Sequence, residues 1–276
     1  MIDLHVHSTF SDGSRTPSEL VAEAVAAGLT ALAVTDHDTM AGVPELVGAA
    51  GGTGVRPVPG VELSVAHEHG PLHLLGYFMA PGDELNAALE RIRRGREERN
   101  LAIVDRLVAL GAPVTWEEVL AVAGGDLVGR PHFAMAMVAR GHVPTKDDAF
   151  ARYLARGRPA YVERFRYPAA EAIGILRRAG GAAVLAHPGL LRCEGRHLKE
   201  LVAELAAAGL AGIEVWHSRH TAVQVRKLKR LAALHGLVAT GGSDYHGAMS
   251  PGIRIGRGFG SLAVPDDVID ALLARR

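Results

Sequence analysis

The sequence predicts an α/β fold, a parallel sheet closed by helices into a barrel related to the (β/α)8 type, with a helical insertion. Three observations predict it. Short β-branched or apolar runs alternate with Ala-, Leu-, Glu- and Arg-rich stretches of helical character. Histidines and carboxylates gather at the ends of those runs. One stretch, from about residue 82 to 158, drops the alternation and reads as almost wholly helical.

The first run, "MIDLHVH", alternates apolar Ile2, Leu4 and Val6 with Asp3, His5 and His7. A strand aims alternate side chains at one face, so the two imidazoles and the carboxylate point together. Further strands are expected at 31–35, 56–63, 72–78, 182–187, 212–216, 237–241 and 259–264. A helix is expected at 17–27, with Thr16 as cap, Pro17 in its first turn and Glu19 placed to complete a capping box. Others are expected at 168–179, 198–208 and 221–235, each followed closely by Gly. The insertion reads as one long helix at 83–110, with Gly95 as a candidate break, then 115–123, 131–139 and 147–154. The expected organisation is a barrel of residues 1–80 and 159–276 and a helical insertion domain of residues 81–158.

Composition narrows the function. The 276 residues are 48% hydrophobic and 22% charged, enough for a packed core. Lys plus Arg (30) balance Asp plus Glu (30), which argues against binding to long duplex nucleic acid or to an anionic membrane. Cys193 is the only cysteine, so neither an internal disulfide nor a cysteine metal cage is available, and Cys193 itself reads as an ordinary loop thiol. The N-terminus shows no basic stretch leading into an apolar one, and no run approaches the roughly 20 apolar residues of a membrane helix. A cytoplasmic protein is expected; the oligomeric state is left open.

The chemistry lies at the strand ends. His5 and His7 close the first strand, Asp12 lies in the loop after it, and His37 follows the second. Glu62 ends the third, His73 lies in "PLHLLGY", His187 ends "AAVLAHPG", and Asp244 and His246 follow "LVATGG". In a parallel barrel such ends converge on one face. Imidazole and carboxylate suit Zn, Mn and Fe, and nine ligands exceed the needs of one ion, so a cluster is expected. A single His-x-His on a strand is weak evidence, and a lone Glu at a strand end is usually solvated. Two His/Asp-x-His pairs joined by three more His and a Glu are hard to explain as surface. Asp3 and Asp36 are expected to orient ligand imidazoles. His67, His69, His142, His217, His220 and His235 read as surface or structural.

"DLHVHSTFSDG", "AVTDHDT", "GVELS", "LHLLGY", "LAHPG" and "GGSDYHG", in this order, resemble the metal-binding motifs of the PHP (polymerase and histidinol phosphatase) family. The resemblance implies a distorted (β/α)7 barrel, two or three divalent metal ions and phosphoester hydrolysis. It implies that His5, His7, Glu62 and Asp244 hold a first metal. Glu62 would bridge to a second bound by His73 and His187, and Asp12, His37 and His246 would hold a third. A hydroxide held within His5, His7, Glu62, His73, His187 and Asp244 would be the nucleophile. Some family members carry His where Asp12 stands, so this third site is the more oxygen-rich and favours Mn2+ or Mg2+ over Zn2+. Mn2+ is the first expectation for the cluster, with Zn2+, Fe2+ and Mg2+ as alternatives.

"RGREERN" and "GRPHFAMAMV" resemble one stand-alone PHP subgroup, which includes nucleoside 3',5'-bisphosphate phosphatases and exonucleases that degrade short RNA from its 5' end. Arg99, Asn100, Arg130 and His132 are the implied substrate residues. Arg offers a bidentate fork for phosphate, and Pro131 places Arg130 and His132 at a helix N-terminus. An ordinary helix face laced with ion pairs is the competing account of "REERN". The expected substrate is a small nucleotide or short oligonucleotide. The alternatives are a histidinol-phosphate phosphatase and, from another class, a non-catalytic metal-binding scaffold.

Overall fold

Thr16 begins the first helix as its sequence requires. Its hydroxyl accepts from the Glu19 amide at 3.2 Å, and the Glu19 carboxylate accepts from the Thr16 amide at 2.8 Å. The computed structural model describes every residue except 67–71, 81, 124–126, 192 and 194. Among the described residues the strands are β1 (Ile2–Val6), β2 (Ala31–Val34), β3 (Arg56–Val65), β4 (Leu72–Tyr77), β5 (Ala182–Leu185), β6 (Gly212–His217) and β7 (Val238–Gly242). The α-helices are α1 (Pro17–Ala27), α2 (Val43–Ala50), α3 (Asp83–Ala109), α4 (Trp116–Ala123), α5 (Arg130–Ala139), α6 (Lys146–Ala149), α7 (Ala169–Arg178), α8 (Arg196–Ala207), α9 (Ala222–Leu234) and α10 (Val268–Leu273). A π-helical turn, Phe150–Leu154, follows α6.

The strands pair in chain order, β1 to β7, as a nearly closed barrel. Closure comes from two backbone bonds: His7 N–H to the Tyr245 carbonyl at 2.9 Å, and Asp244 N–H to the His5 carbonyl at 2.8 Å. Gly242 permits the approach, since a Cβ there would stand 2.3 Å from that of His5. Apolar side chains including Leu4, Ala33, Val58, Leu75 and Val184 fill the interior. Tyr77, fully buried, donates its hydroxyl to the Leu4 carbonyl at 2.7 Å.

The sheet departs from the expected all-parallel pattern at one strand. β4 runs antiparallel to both β3 and β5, while the other pairings are parallel. Strand direction leaves no mark on an apolar run, and an antiparallel partner needs only a short connection. The reversal matters for the site. It brings the start of β4, where His73 lies opposite Ser64, to the end of the barrel where β3 finishes.

The strand expected at 259–264 does not form. Its amides bond locally instead: Gly260 N–H and Leu262 N–H both go to the Arg257 carbonyl, at 2.7 and 3.2 Å. Within this segment Val264 alone pairs with a strand, through an isolated bridge to Ile2, while Leu262 packs against the core. Helix α2 is an element the sequence reading lacks.

Two compact units are present, Met1–Leu89 with Tyr167–Arg276, and Glu90–Arg166. The second has its own core, including Ile103, Leu107, Val119, Phe133, Met137 and Leu154. Gly95 does not break α3. A Cβ there would meet the Phe165 Cβ at 2.7 Å, so the glycine serves close packing instead.

Asp3 illustrates how the barrel is fastened. It is fully buried and accepts the amides of Ser243 at 2.8 Å, Gly256 at 2.7 Å and His5 at 3.2 Å. It therefore ties the backbone of β1 to the segments after β7; the expectation that it orients an imidazole is replaced by this role. Asp3→Asn turns an NH2 toward one of these amides and leaves it unsatisfied. The expected cost is about 1–3 kcal/mol of unfolding free energy. Denaturant titration of the metal-free protein measures it, and an unchanged midpoint would refute the assignment.

Candidate metal centre

Five imidazoles converge on one carboxylate. Glu62 is buried near the end of β3, and its Oε2 lies 3.3 Å from His5 Nε2, 3.2 Å from His7 Nε2 and 3.1 Å from His37 Nδ1. Its Oε1 lies 2.8 Å from His73 Nδ1 and 2.9 Å from His187 Nε2. Asp244 Oδ1 adds a second carboxylate oxygen, 3.5 Å from His5 Nε2 and 3.4 Å from His7 Nε2.

These distances fit a metal better than a hydrogen-bonded cluster. His5 Nε2 and His7 Nε2 are 3.2 Å apart, so two ring nitrogens face one another and the same carboxylates. A tetrahedral ion with bonds of about 2.0–2.1 Å sets its ligands roughly 3.3–3.4 Å apart. The separations given above among His5, His7, Glu62 and Asp244, 3.2–3.5 Å, lie close to that value. His37 Nδ1 is a second sign. It is buried and only 3.1 Å from Glu62 Oε2, yet no hydrogen bond forms, because the atoms are not aligned for one.

Neighbouring groups set which nitrogen faces inward. His5 Nδ1 is bonded to Glu214 Oε1 at 2.9 Å, and His246 Nδ1 donates to the Asp244 carbonyl at 2.9 Å. Each ring thereby turns its Nε2 lone pair toward the cluster. His246 Nε2 lies 3.4 Å from Asp12 Oδ1, His7 Nδ1 lies 3.6 Å from the same oxygen, and His37 Nε2 lies 3.7 Å from Asp12 Oδ2. His37 thus reaches both Glu62 and Asp12. Four donor groups able to hold an ion result among the described residues: His5, His7 and Asp244; His5, Glu62 and His187; His37, Glu62 and His73; and His7, Asp12, His37 and His246.

All nine strand-end residues named from the sequence are therefore brought together. Asp36 plays a different part from the one expected. It accepts from the Ser8 amide at 2.7 Å and from the Ser8 and Ser11 hydroxyls at 2.6 Å, fastening the loop that carries Asp12. His217, read as surface or structural, is buried, and its Nε2 is 3.2 Å from Asp244 Oδ2. Glu214 was overlooked altogether. The signal was a lone carboxylate between Ile213 and Val215 in mid-strand, a place where an unpaired charge is rarely buried. His67 and His69 lie outside the described residues.

The electrostatics follow from the packing. Burial opposes a charge on His7, but the Asp244 and Glu62 carboxylates outweigh it and push its pKa up to about 10. Burial pulls His37 the other way, down to about 4. Burial would raise the Glu62 and Asp244 carboxyls, yet the surrounding imidazoles hold both well below the usual range. The proton on His7 occupies the place of a cation. Because its pKa is raised, the proton is held throughout the neutral range and must leave when metal binds. Metal affinity should therefore rise with pH below about 10, roughly tenfold per unit for each proton displaced. Zn2+ titrations against a competing chelator one pH unit apart test this, and equal affinities would contradict it.

The second unit carries the other candidates. Arg99 and Asn100 are buried on α3, and Arg130 and His132 open α5. Burial, reinforced by the like charges of Arg96, Arg130 and Arg166, pulls the Arg99 pKa down to about 9. Its Nε has no hydrogen-bond partner, and neither does Asn100 Oδ1. Asn100 Nδ2 donates to the Val128 carbonyl at 3.2 Å. Arg130 donates to the Leu154 carbonyl at 3.1 Å and lies 5.1 Å over the Tyr161 ring. His132 Nδ1 accepts from the Gly129 amide at 3.1 Å and so caps α5.

Residues 3–140 match the model of the PHP domain. The chain belongs to the PHP family. It is 35% identical to a 3',5'-nucleoside bisphosphate phosphatase of Chromobacterium violaceum, over 92% of this chain and 90% of that one. It is 38% identical to the 5'-3' exoribonuclease Rnm of Salmonella typhimurium, over 92% and 88%. A crystal structure assigned as a metal-dependent phosphoesterase from Bifidobacterium adolescentis superposes with a TM-score of 0.81 at 34% identity, covering 99% of this chain and 96% of that one. This PHP protein is a metal-dependent hydrolase of phosphoester bonds, built on an α/β barrel with a His/Asp/Glu cluster that can bind metal ions. No helix among the described residues is long and apolar enough to cross a membrane.

Proposed function

We propose that this PHP protein hydrolyses a phosphate ester of a nucleotide, either a 3',5'-nucleoside bisphosphate or a short 5'-phosphorylated RNA. The observation that carries the substrate reading is the arginine cluster of the second unit. A buried guanidinium repelled by three others, with an unsatisfied Nε, is stabilised by an anion with several oxygens, and phosphate is such an anion. The relatives named above act on nucleotides or RNA, which supports the same class.

The residue roles follow from the geometry. His5, His7, Glu62 and Asp244 would hold one ion; Glu62, His73 and His187 a second; Asp12, His37 and His246 a third. When bound, the ions polarise the phosphoryl group and make water acidic enough to act as nucleophile at neutral pH. His5 and His246 each have the Nδ1 proton committed to an oxygen, so they would hold position and not relay protons. Arg99 and Arg130 would grip a phosphate that is not being hydrolysed, and Asn100 and His132 would contact sugar or phosphate oxygens. Mn2+ is the proposed metal, on the oxygen-containing donors of the Asp12 group. The cytoplasm is the proposed compartment, a single cysteine suiting a reducing environment.

The test is a screen with added Mn2+ over 3',5'-bisphosphonucleosides, 5'-phosphorylated dinucleotides, histidinol phosphate and a generic aryl phosphate. The first two should give the highest kcat/KM. A preference for histidinol phosphate would refute the substrate reading and leave the metal centre intact.

A further inference from the structure

Strand β6 supplies no residue to any of the four donor groups, yet it touches three of their members. Glu214 is fully buried. Its Oε1 is bonded to His5 Nδ1 at 2.9 Å, and its Oε2 accepts from the His187 backbone amide at 2.6 Å. His217, also buried, accepts at Nδ1 from the Arg219 amide at 3.1 Å. Its proton therefore sits on Nε2, which donates to Asp244 Oδ2 at 3.2 Å. That contact leaves Asp244 Oδ1 to face His5 and His7.

Residues three apart on a regular strand point to opposite faces. The pairing of β6 with β7 shows why these two do not. Glu214 pairs with Thr240 and Trp216 with Gly241, so β6 spends two residues where β7 spends one. The extra residue, Val215, is a bulge that brings Glu214 and His217 to the same side. The backbone supplies a second sign. His187 has φ +29° and Asp244 φ +56°, in the left-handed region that non-glycine residues avoid at a cost of about 1–3 kcal/mol. These two strained ligands are both held by β6.

We propose that β6 is the template of the metal centre, with Glu214 and His217 as positioning residues. Glu214 links His5, from the first donor set, to His187, from the second, through one carboxylate. His217 selects which oxygen Asp244 presents. Neither would touch the substrate. Their effect should appear first in metal affinity and ligand geometry, before any turnover is measured.

The inference rests on the metal reading, and the experiment separates the two. Metal-free wild type and variants are titrated with Co2+ alone, following its visible absorption, and competed with a chelator. His217→Leu removes the donor to Asp244 and should weaken Co2+ binding by about ten- to a hundredfold and alter the absorption bands. His217→Gln places an amide N–H near the position of Nε2–H and should restore most of the affinity and the spectrum. Glu214→Gln has one acceptor oxygen where the carboxylate has two, so either His5 or the His187 amide loses its partner. A similar weakening is expected, with a cooperative thermal transition retained. Should Glu214→Gln fail to fold, the His217 pair decides alone. Unchanged affinity and spectrum in His217→Leu would overturn the proposal, and so would equal damage from Leu and Gln. Wild type that binds no Co2+ would sink the metal reading together with this one. Tight binding by wild type and variants alike would sink only this one.

Discussion

Glu62→Gln should lower turnover of any phosphoester by more than about a hundredfold, and should cost the protein bound metal as well. Partners that merely orient a metal ligand are worth about ten- to a hundredfold, so a shared direct ligand sets a higher floor. The substitution keeps the shape of the side chain and removes its charge. Five ring nitrogens lie within 2.8–3.3 Å of the two oxygens, and an amide NH2 would point a proton at two or three of them. One change therefore damages two of the four donor groups. His142→Ala is the matched control. His142 lies in the second unit on an exposed bond to the Pro113 carbonyl at 2.7 Å, so activity and metal content should not change. Metal content by atomic emission and hydrolysis of an aryl phosphate measure both. Equal losses in the two variants would mean that Glu62 is not the shared ligand.

The clustering of the candidate ligands is legible in the sequence because its logic is local. His5 and His7 alternate with buried Leu4 and Val6, and most of the other candidates sit where an apolar run stops. Period and punctuation carry that information without any knowledge of pairing. What was not legible depends on pairing. The direction of β4 is invisible in "LHLLGY", yet it decides that His73 lies at the mouth of the barrel. The bulge at Val215 exists only in the register of β6 against β7, and without it His217 would face away from Asp244. The roles of Asp3 and Asp36 differ from the expected orienting of imidazoles for a related reason. A buried carboxylate is equally served by backbone amides and hydroxyls that only folding brings to it. The segment at 259–264 has strand-like composition, but the Gly260 and Leu262 amides have their partner in the local turn at Arg257.

Substrate selection should separate from chemistry at Arg130. Under the proposed function a bisphosphorylated nucleotide presents two anionic groups, of which the metal centre would engage the one being hydrolysed. The other requires a cation that the nine-ligand cluster does not provide. Losing a charge-assisted contact costs about 1.5–3 kcal/mol, which is roughly ten- to a hundredfold in rate constant. Arg130→Ala should therefore lower kcat/KM by about that factor for a 3',5'-bisphosphonucleoside or a 5'-phosphorylated dinucleotide. Hydrolysis of an aryl phosphate, which has no second phosphate, should stay nearly unchanged. The guanidinium also donates to the Leu154 carbonyl and lies over Tyr161, so the alanine variant loses packing as well as charge. Arg130→Lys resolves that ambiguity: it keeps the charge and gives up the planar fork. If phosphate recognition is the role, the lysine variant recovers part of the activity toward the bisphosphate. If Arg130 only props the π-helical turn, both substrates fall together as the second unit loosens, and lysine brings back neither.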